Sequence, residues 1–100
     1  KLYFETEDYF FVHAGVPNIP LRQLDPVTHG EQMMWIRSSF LNSSYSWGKR
    51  IIHGHTPVPN IEIRQNRINV DTGCVYDNQL TAIELPSERV YTVDKQVKAE

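Results

Sequence analysis

Ile51-Ile52-His53-Gly54-His55-Thr56-Pro57 decides how this chain is read. Two β-branched residues run into His-Gly-His and then a Thr-Pro turn. That is the pattern of a buried strand whose end delivers an imidazole into a cleft. A second stretch, Tyr9-Phe10-Phe11-Val12-His13-Ala14-Gly15-Val16, repeats it: an apolar run, a histidine, then small residues and Pro17. Two strands that both finish on histidine suggest a shared metal site at one edge of a sheet. Ala14, Gly15 and Gly54 read as room for backbone and metal to approach closely. Either histidine alone could equally be a hydrogen-bonded core or surface residue; the matched contexts favour the paired reading.

Around these two stretches the chain reads as mixed α/β. Leu2–Glu5 and Tyr9–Val12 flank a polar Thr6-Glu7-Asp8 and predict a hairpin or successive strands. The second is apolar on both faces and should lie centrally. Residues 15–27 carry Pro17, Pro20 and Pro26 and read as a loop, with one helical turn at Leu21–Leu24. Met33, Met34, Ile36, Phe40 and Leu41 sit near helical spacing, so one main helix is expected from about Glu31 to Leu41. Arg50–His53 should be a short buried strand. Ile61–Arg64 and Arg67–Val70 alternate around Gln65-Asn66 as a hairpin. Leu80–Leu85 and Arg89–Val93 should be two further strands, and Asp94–Glu100 is expected to fray.

Composition narrows the function classes. The 10 basic and 12 acidic side chains nearly balance, and no basic stripe points to nucleic acid. No apolar run is long enough to span a membrane, and no signal peptide is visible. The single Cys74 cannot form an internal disulfide and is read as packing, so a cytoplasmic setting is expected. The chain opens on Lys1 and goes straight into strand-like residues, which fits a cut chain better than a natural start.

Several side chains could carry chemistry. His53 lies two residues before His55 and would share its face in an extended strand. The Gly54 bend is expected to turn only His55 into the site, leaving His53 as support. His29, near a helix start, is expected to be solvent-exposed. Arg37 in Trp35-Ile36-Arg37-Ser38 is a solvated charge, a carboxylate partner or a phosphate clamp, since a guanidinium can donate two parallel hydrogen bonds to phosphate oxygens. Asp71 is the one acid in a suitable context; with two histidines it could hold a single metal, but not two. Asp71-Thr72-Gly73 also matches the aspartic-protease triplet, yet it falls too late in the chain for that fold.

With His13, Arg37, His55 and Asp71-Thr72-Gly73 in this order, the chain resembles the C-terminal half of a bacterial-type PPP Ser/Thr protein phosphatase, within the calcineurin-like metallophosphoesterases. The matching segments are Phe11–Val16, Trp35-Ile36-Arg37, His53–Pro57 and Ile68–Tyr76. The resemblance implies part of a four-layer α/β/β/α sandwich, with residues 1–100 forming the C-terminal half of one domain. It implies two divalent metals (manganese, with iron or zinc as alternatives) and direct attack of a metal-bridging hydroxide on a phosphoserine or phosphothreonine ester. By the same resemblance His13 and His55 bind one metal and Arg37 contacts the phosphate. His53, Thr56 and Asp71 take supporting or structural roles. The family's Gly-Asp-x-His-Gly, Gly-Asp-x-x-Asp-Arg-Gly and Gly-Asn-His-Glu motifs do not occur here. The missing N-terminal half is therefore an expected partner, and this segment alone is expected to be inactive. The substrate would be a phosphorylated protein or another phosphoester, without nucleic-acid or membrane partners. The alternatives are a diadenosine tetraphosphate hydrolase on the same fold, and a self-contained metal-binding or interaction domain.

Overall fold

A computed structural model describes residues 2–76 and 78–94. Its main body is a five-stranded sheet of β1 (Tyr3–Glu5), β2 (Tyr9–Val12), β3 (Arg50–His53), β4 (Glu62–Ile63) and β5 (Arg67–Asn69), in the order β1-β2-β3-β5-β4. The three inner strands β2, β3 and β5 run parallel, and the two edges are antiparallel. The architecture is mixed α/β with a mixed sheet, as the sequence predicts, and both expected hairpins form. Lys1 and most of the expected fraying tail (95–100) lie outside the described residues.

The β2-to-β3 crossover carries α1 (Pro26–Trp35) and α2 (Ser38–Leu41). The helical stretch begins five residues before the expected Glu31, because Pro26 opens a helix instead of prolonging a loop. Asp25 caps it: Oδ1 accepts from the Val27 amide at 3.2 Å and Oδ2 from the Thr28 hydroxyl at 2.8 Å. Proline at the first helical position sacrifices only an amide that would be unpaired there anyway. His29 is half-buried rather than solvent-exposed, and its Nδ1 accepts from the Asp25 amide at 2.9 Å. The predicted single helix is also broken. Ile36 adopts φ −60°, ψ 141° and Arg37 adopts φ −130°, ψ −102°.

Pairing register sorts the sheet's two faces. Phe10 aligns with Ile51, Ile51 with Arg67, and His53 with Asn69. These residues face the helices, where Phe10, Val12, Val16, Met33, Phe40, Trp47 and Ile51 form the core. Gly15 is essential to that packing, since a Cβ there would stand 2.4 Å from the Phe40 ring. Its smallness admits an aromatic ring. The opposite face carries Phe11, Ile52 and Ile68.

The last two strands, β6 (Gln79–Glu84) and β7 (Arg89–Asp94), form a separate two-stranded sheet. Thr72 ties it to the main body, with its hydroxyl 2.7 Å from both the Gln79 carbonyl and the Thr81 hydroxyl. Arg50 and Glu88 form an ion pair across the same junction.

Candidate functional site

The carboxyl ends of three adjacent parallel strands converge on one edge of the sheet, the place where open α/β sheets bind ligands. β2 ends just before His13, β3 before Gly54-His55, and β5 before Val70-Asp71. The strand ends are stitched together. The Gly54 amide donates to the His13 carbonyl at 2.9 Å, and the Val70 amide to the His53 carbonyl at 3.0 Å.

His13 and His55 meet here, with His13 Nε2 3.2 Å from His55 Nδ1. Arg37 joins them by donating from Nε to His55 Nε2 at 3.3 Å. The break between α1 and α2 delivers Arg37: an uninterrupted helix would have carried it elsewhere on the helix surface. Because a guanidinium only donates, His55 Nε2 must accept, and the network assigns the His55 proton to Nδ1, facing His13.

The bend that aims His55 lies on His55 itself, not on Gly54. His55 has φ 70°, and the Thr56 amide donates across it to the Gly54 carbonyl at 2.8 Å. That is a three-residue turn centred on a left-handed non-glycine residue, a strained arrangement. A Cβ on Gly54 would meet only ordinary contacts, the nearest at 3.4 Å from Asp71 Cβ. His55 is half-buried, and its pKa is lowered by desolvation, then by the Arg37 cation and the His13 ring, with Asp71 opposing.

His53 sits in the opposite environment. It is 2% exposed, its ring edge-on to Phe40 with centroids 4.8 Å apart. Arg67 Nη1 donates to its Nε2 at 3.1 Å, so its proton lies on Nδ1 and reaches the Gly54 carbonyl at 3.2 Å. Burial, first of all, pushes its pKa down to about 4. Arg67 is itself 2% exposed and pairs with Glu62 Oε1 at 2.8 Å. The Glu62 carboxyl is pushed up by desolvation but held low overall by hydrogen bonds from Arg67 and Arg64. A chain from Glu62 through Arg67 and His53 to the Gly54 carbonyl thus underlies the His55 turn.

Asp71 and Thr56 are held from the same side. Asp71 Oδ1 accepts from the Gly73 amide at 3.2 Å, while the Asp71 amide donates to Asn69 Oδ1 at 3.0 Å. Buried Asn69 also donates to the Thr56 carbonyl at 2.8 Å. Sequence reasoning missed Arg67, Glu62, Asn69 and Trp35. Cys74 is half-buried at the start of a short 3-10 turn, with a free thiol, rather than packed in the core.

A metal places its own demands on this donor set. Two nitrogens on one ion, at about 2.0–2.1 Å each, stand roughly 2.9–3.4 Å apart for cis-octahedral to tetrahedral angles. The 3.2 Å His13–His55 separation fits that range, with the His55 proton leaving Nδ1 when an ion binds there. Among the described residues, however, no group of three or more His, Cys, Asp or Glu side chains is placed to hold an ion. The two histidines fit one side of a coordination shell.

A cleft of about 1070 Å³ opens at the other end of the parallel strands, lined in part by Asp8, Arg50, Arg64 and Asn66. Its cations are already engaged: Lys49 with Glu5, Arg50 with Glu88 and Arg64 with Glu62. Its lining residues include no histidine. No helix among the described residues is long and apolar enough to cross a membrane.

A histidine pair beside a guanidinium can hold a cation and an anion side by side, the arrangement expected of a phosphate-handling protein. The chain is similar to bis(5'-nucleosyl)-tetraphosphatases (asymmetrical), named PrpE, of several bacteria. It shares 38% identity over 55 residues with that of Bacillus velezensis, covering 55% of this chain and 22% of the relative. Against the Oceanobacillus iheyensis protein it shares 28% identity over 103 residues, covering 92% of this chain and 41% of the relative. Against the Bacillus subtilis protein the figure is 37% over 51 residues, covering 51% and 21%. The chain therefore spans well under half the length of the curated relatives it matches. No profile of a known protein family matches it.

Proposed function

We propose that this chain is the C-terminal half of a metallophosphoesterase domain whose intact form hydrolyses dinucleoside polyphosphates. The observation that carries this reading is the His13–His55–Arg37 cluster at the ends of adjacent parallel strands. His13 and His55 would hold one divalent ion, and Arg37 would take phosphoryl oxygens and offset the negative charge that builds on them. Divalent metal, when bound, supplies Lewis acidity and a more acidic water. Water adds to an outer phosphorus of the tetraphosphate bridge. The P–O bond to the next phosphate breaks, leaving a nucleoside monophosphate and a nucleoside triphosphate, with a proton released to solvent. His53, Thr56 and Asp71 would set the geometry without touching substrate.

The resemblance read from the sequence puts phosphoproteins first among substrates; the relatives favour the dinucleotide. The test is to assay the protein, extended to the full length of its relatives, on diadenosine tetraphosphate and on a phosphoserine peptide. Formation of AMP and ATP is expected, and cleavage of the phosphopeptide alone would overturn the substrate assignment. His55→Ala should largely abolish turnover and lower metal content by one ion per chain. Full activity with metal content unchanged would remove the ligand role.

A further inference from the structure

Trp35 closes α1 with 67% of its surface exposed, although it is among the largest apolar side chains in the protein. The other tryptophan, Trp47, is only 7% exposed and donates from Nε1 to the Pro17 carbonyl at 2.9 Å. An exposed indole offers a flat π-face on which a planar aromatic group can stack. Trp35 also has a specific neighbour. Its ring stands perpendicular to the His55 imidazole, with centroids 5.6 Å apart and an interplanar angle of 83°. On the His55 ring Nδ1 faces His13 and Nε2 receives Arg37. One imidazole thus borders a candidate cation ligand, an anion donor and an open aromatic surface.

We propose that Trp35 is a nucleobase platform, stacking the base nearest the phosphorus that is cleaved. The inference rests on the reading of the site as one for dinucleoside polyphosphates. In such a ligand the outer phosphorus is separated from a flat aromatic base by a single ribose. Anchoring the phosphate at Arg37 and the histidines brings that base to the bordering indole. A phosphoserine peptide has no flat group tied to its phosphate. Trp35 would therefore select among phosphoesters that the metal ligands and Arg37 cannot tell apart. Base–aromatic stacking is sequence-tolerant and is worth about 5- to 150-fold in affinity (about 1–3 kcal/mol).

Titration of the protein, extended to the full length of its relatives, in Mn²⁺ buffer with a non-hydrolysable methylene-bridged diadenosine tetraphosphate and with inorganic tripolyphosphate tests this, followed by tryptophan emission and by heat. The dinucleotide should quench the exposed indole, and tripolyphosphate should not. Trp35→Ala should weaken the dinucleotide at least about five-fold and leave tripolyphosphate unchanged. Trp35→Phe, which keeps a π-face, should restore most of the affinity. Equal weakening of both ligands, or undiminished dinucleotide affinity, would overturn the platform. Tripolyphosphate bound as tightly as the dinucleotide, with no indole response, would keep the phosphate site and remove the platform. If the wild-type protein bound neither ligand, the site reading would fail and the platform with it.

Discussion

His53 and His55 are separated by one glycine and differ in nearly every physical respect. His53 lies under the sheet's helical face, sealed by Phe40 and held in one tautomer by the Arg67 cation. His55 stands past the strand end on a strained turn, bordered by His13, Arg37 and Trp35. The buried layer trades titration for rigidity, and the edge cluster holds a strained backbone at His55. Strain at the second residue persists because the first helps fix the carbonyl on which the turn closes. The two layers should therefore answer perturbation in opposite ways.

The largest effect is expected from Arg67→Ala. It strips the donor from His53 and leaves the Glu62 carboxylate without its buried partner, costing about 3–4 kcal/mol of unfolding free energy. Urea denaturation reads this directly, and a loss below about 1 kcal/mol would deny the buried layer its structural weight.

Acidification should come next. The unfolded chain protonates His53 near 6.5, whereas the folded protein resists until about pH 4. This contribution is therefore intact above about 6.5 and is lost as pH falls from there to about 4, by on the order of 3 kcal/mol. His53→Gln should flatten that part of the stability profile; an unchanged slope would assign it to other groups.

Gly15→Ala should cost about 2 kcal/mol, because the new methyl collides with the Phe40 ring that packs on His53. Thermal melting of Gly15→Ala beside Gly15→Ala/Phe40→Leu separates the clash from other causes. Relief of the Gly15→Ala penalty in the Leu background is the expected result.

The smallest change should have the opposite sign. His55→Gly removes the left-handed penalty at φ 70° and should raise stability by about 1 kcal/mol while lowering metal content by one ion per chain. A destabilised His55→Gly would mean that the edge cluster also supports the fold, erasing the contrast between the layers.

Much of the edge cluster is legible in the chain, because a histidine that ends an apolar run and an arginine that ends a helical one stand out against their immediate neighbours. The buried layer is not. Alternation in Arg67-Ile68-Asn69-Val70 puts Arg67 and Asn69 on one face, which by default faces solvent. Burial of Arg67 follows from α2 closing over it with the Phe40 ring and the Leu41 carbonyl, and that closure needs contacts between residues far apart in sequence. The helix break that frees Arg37 is equally hidden, since the apolar spacing runs smoothly through Ile36. Pro26 reads as loop on its own and as a helix start only once the Asp25 cap before it is taken into account.

Periodicity and chain order are local properties, so the inner strands, the histidines at their ends and the arginine that follows the helix can be read from the residues alone. That His55 and not His53 faces the edge is expected from the sequence, but its physical cause lies in the fold. That choice depends on strand register, on the left-handed turn at His55 and on a buried arginine contributed by a strand fourteen residues away in the chain. Side-chain identity names candidates, whereas desolvation and the geometry of distant partners assign them to structure or to chemistry.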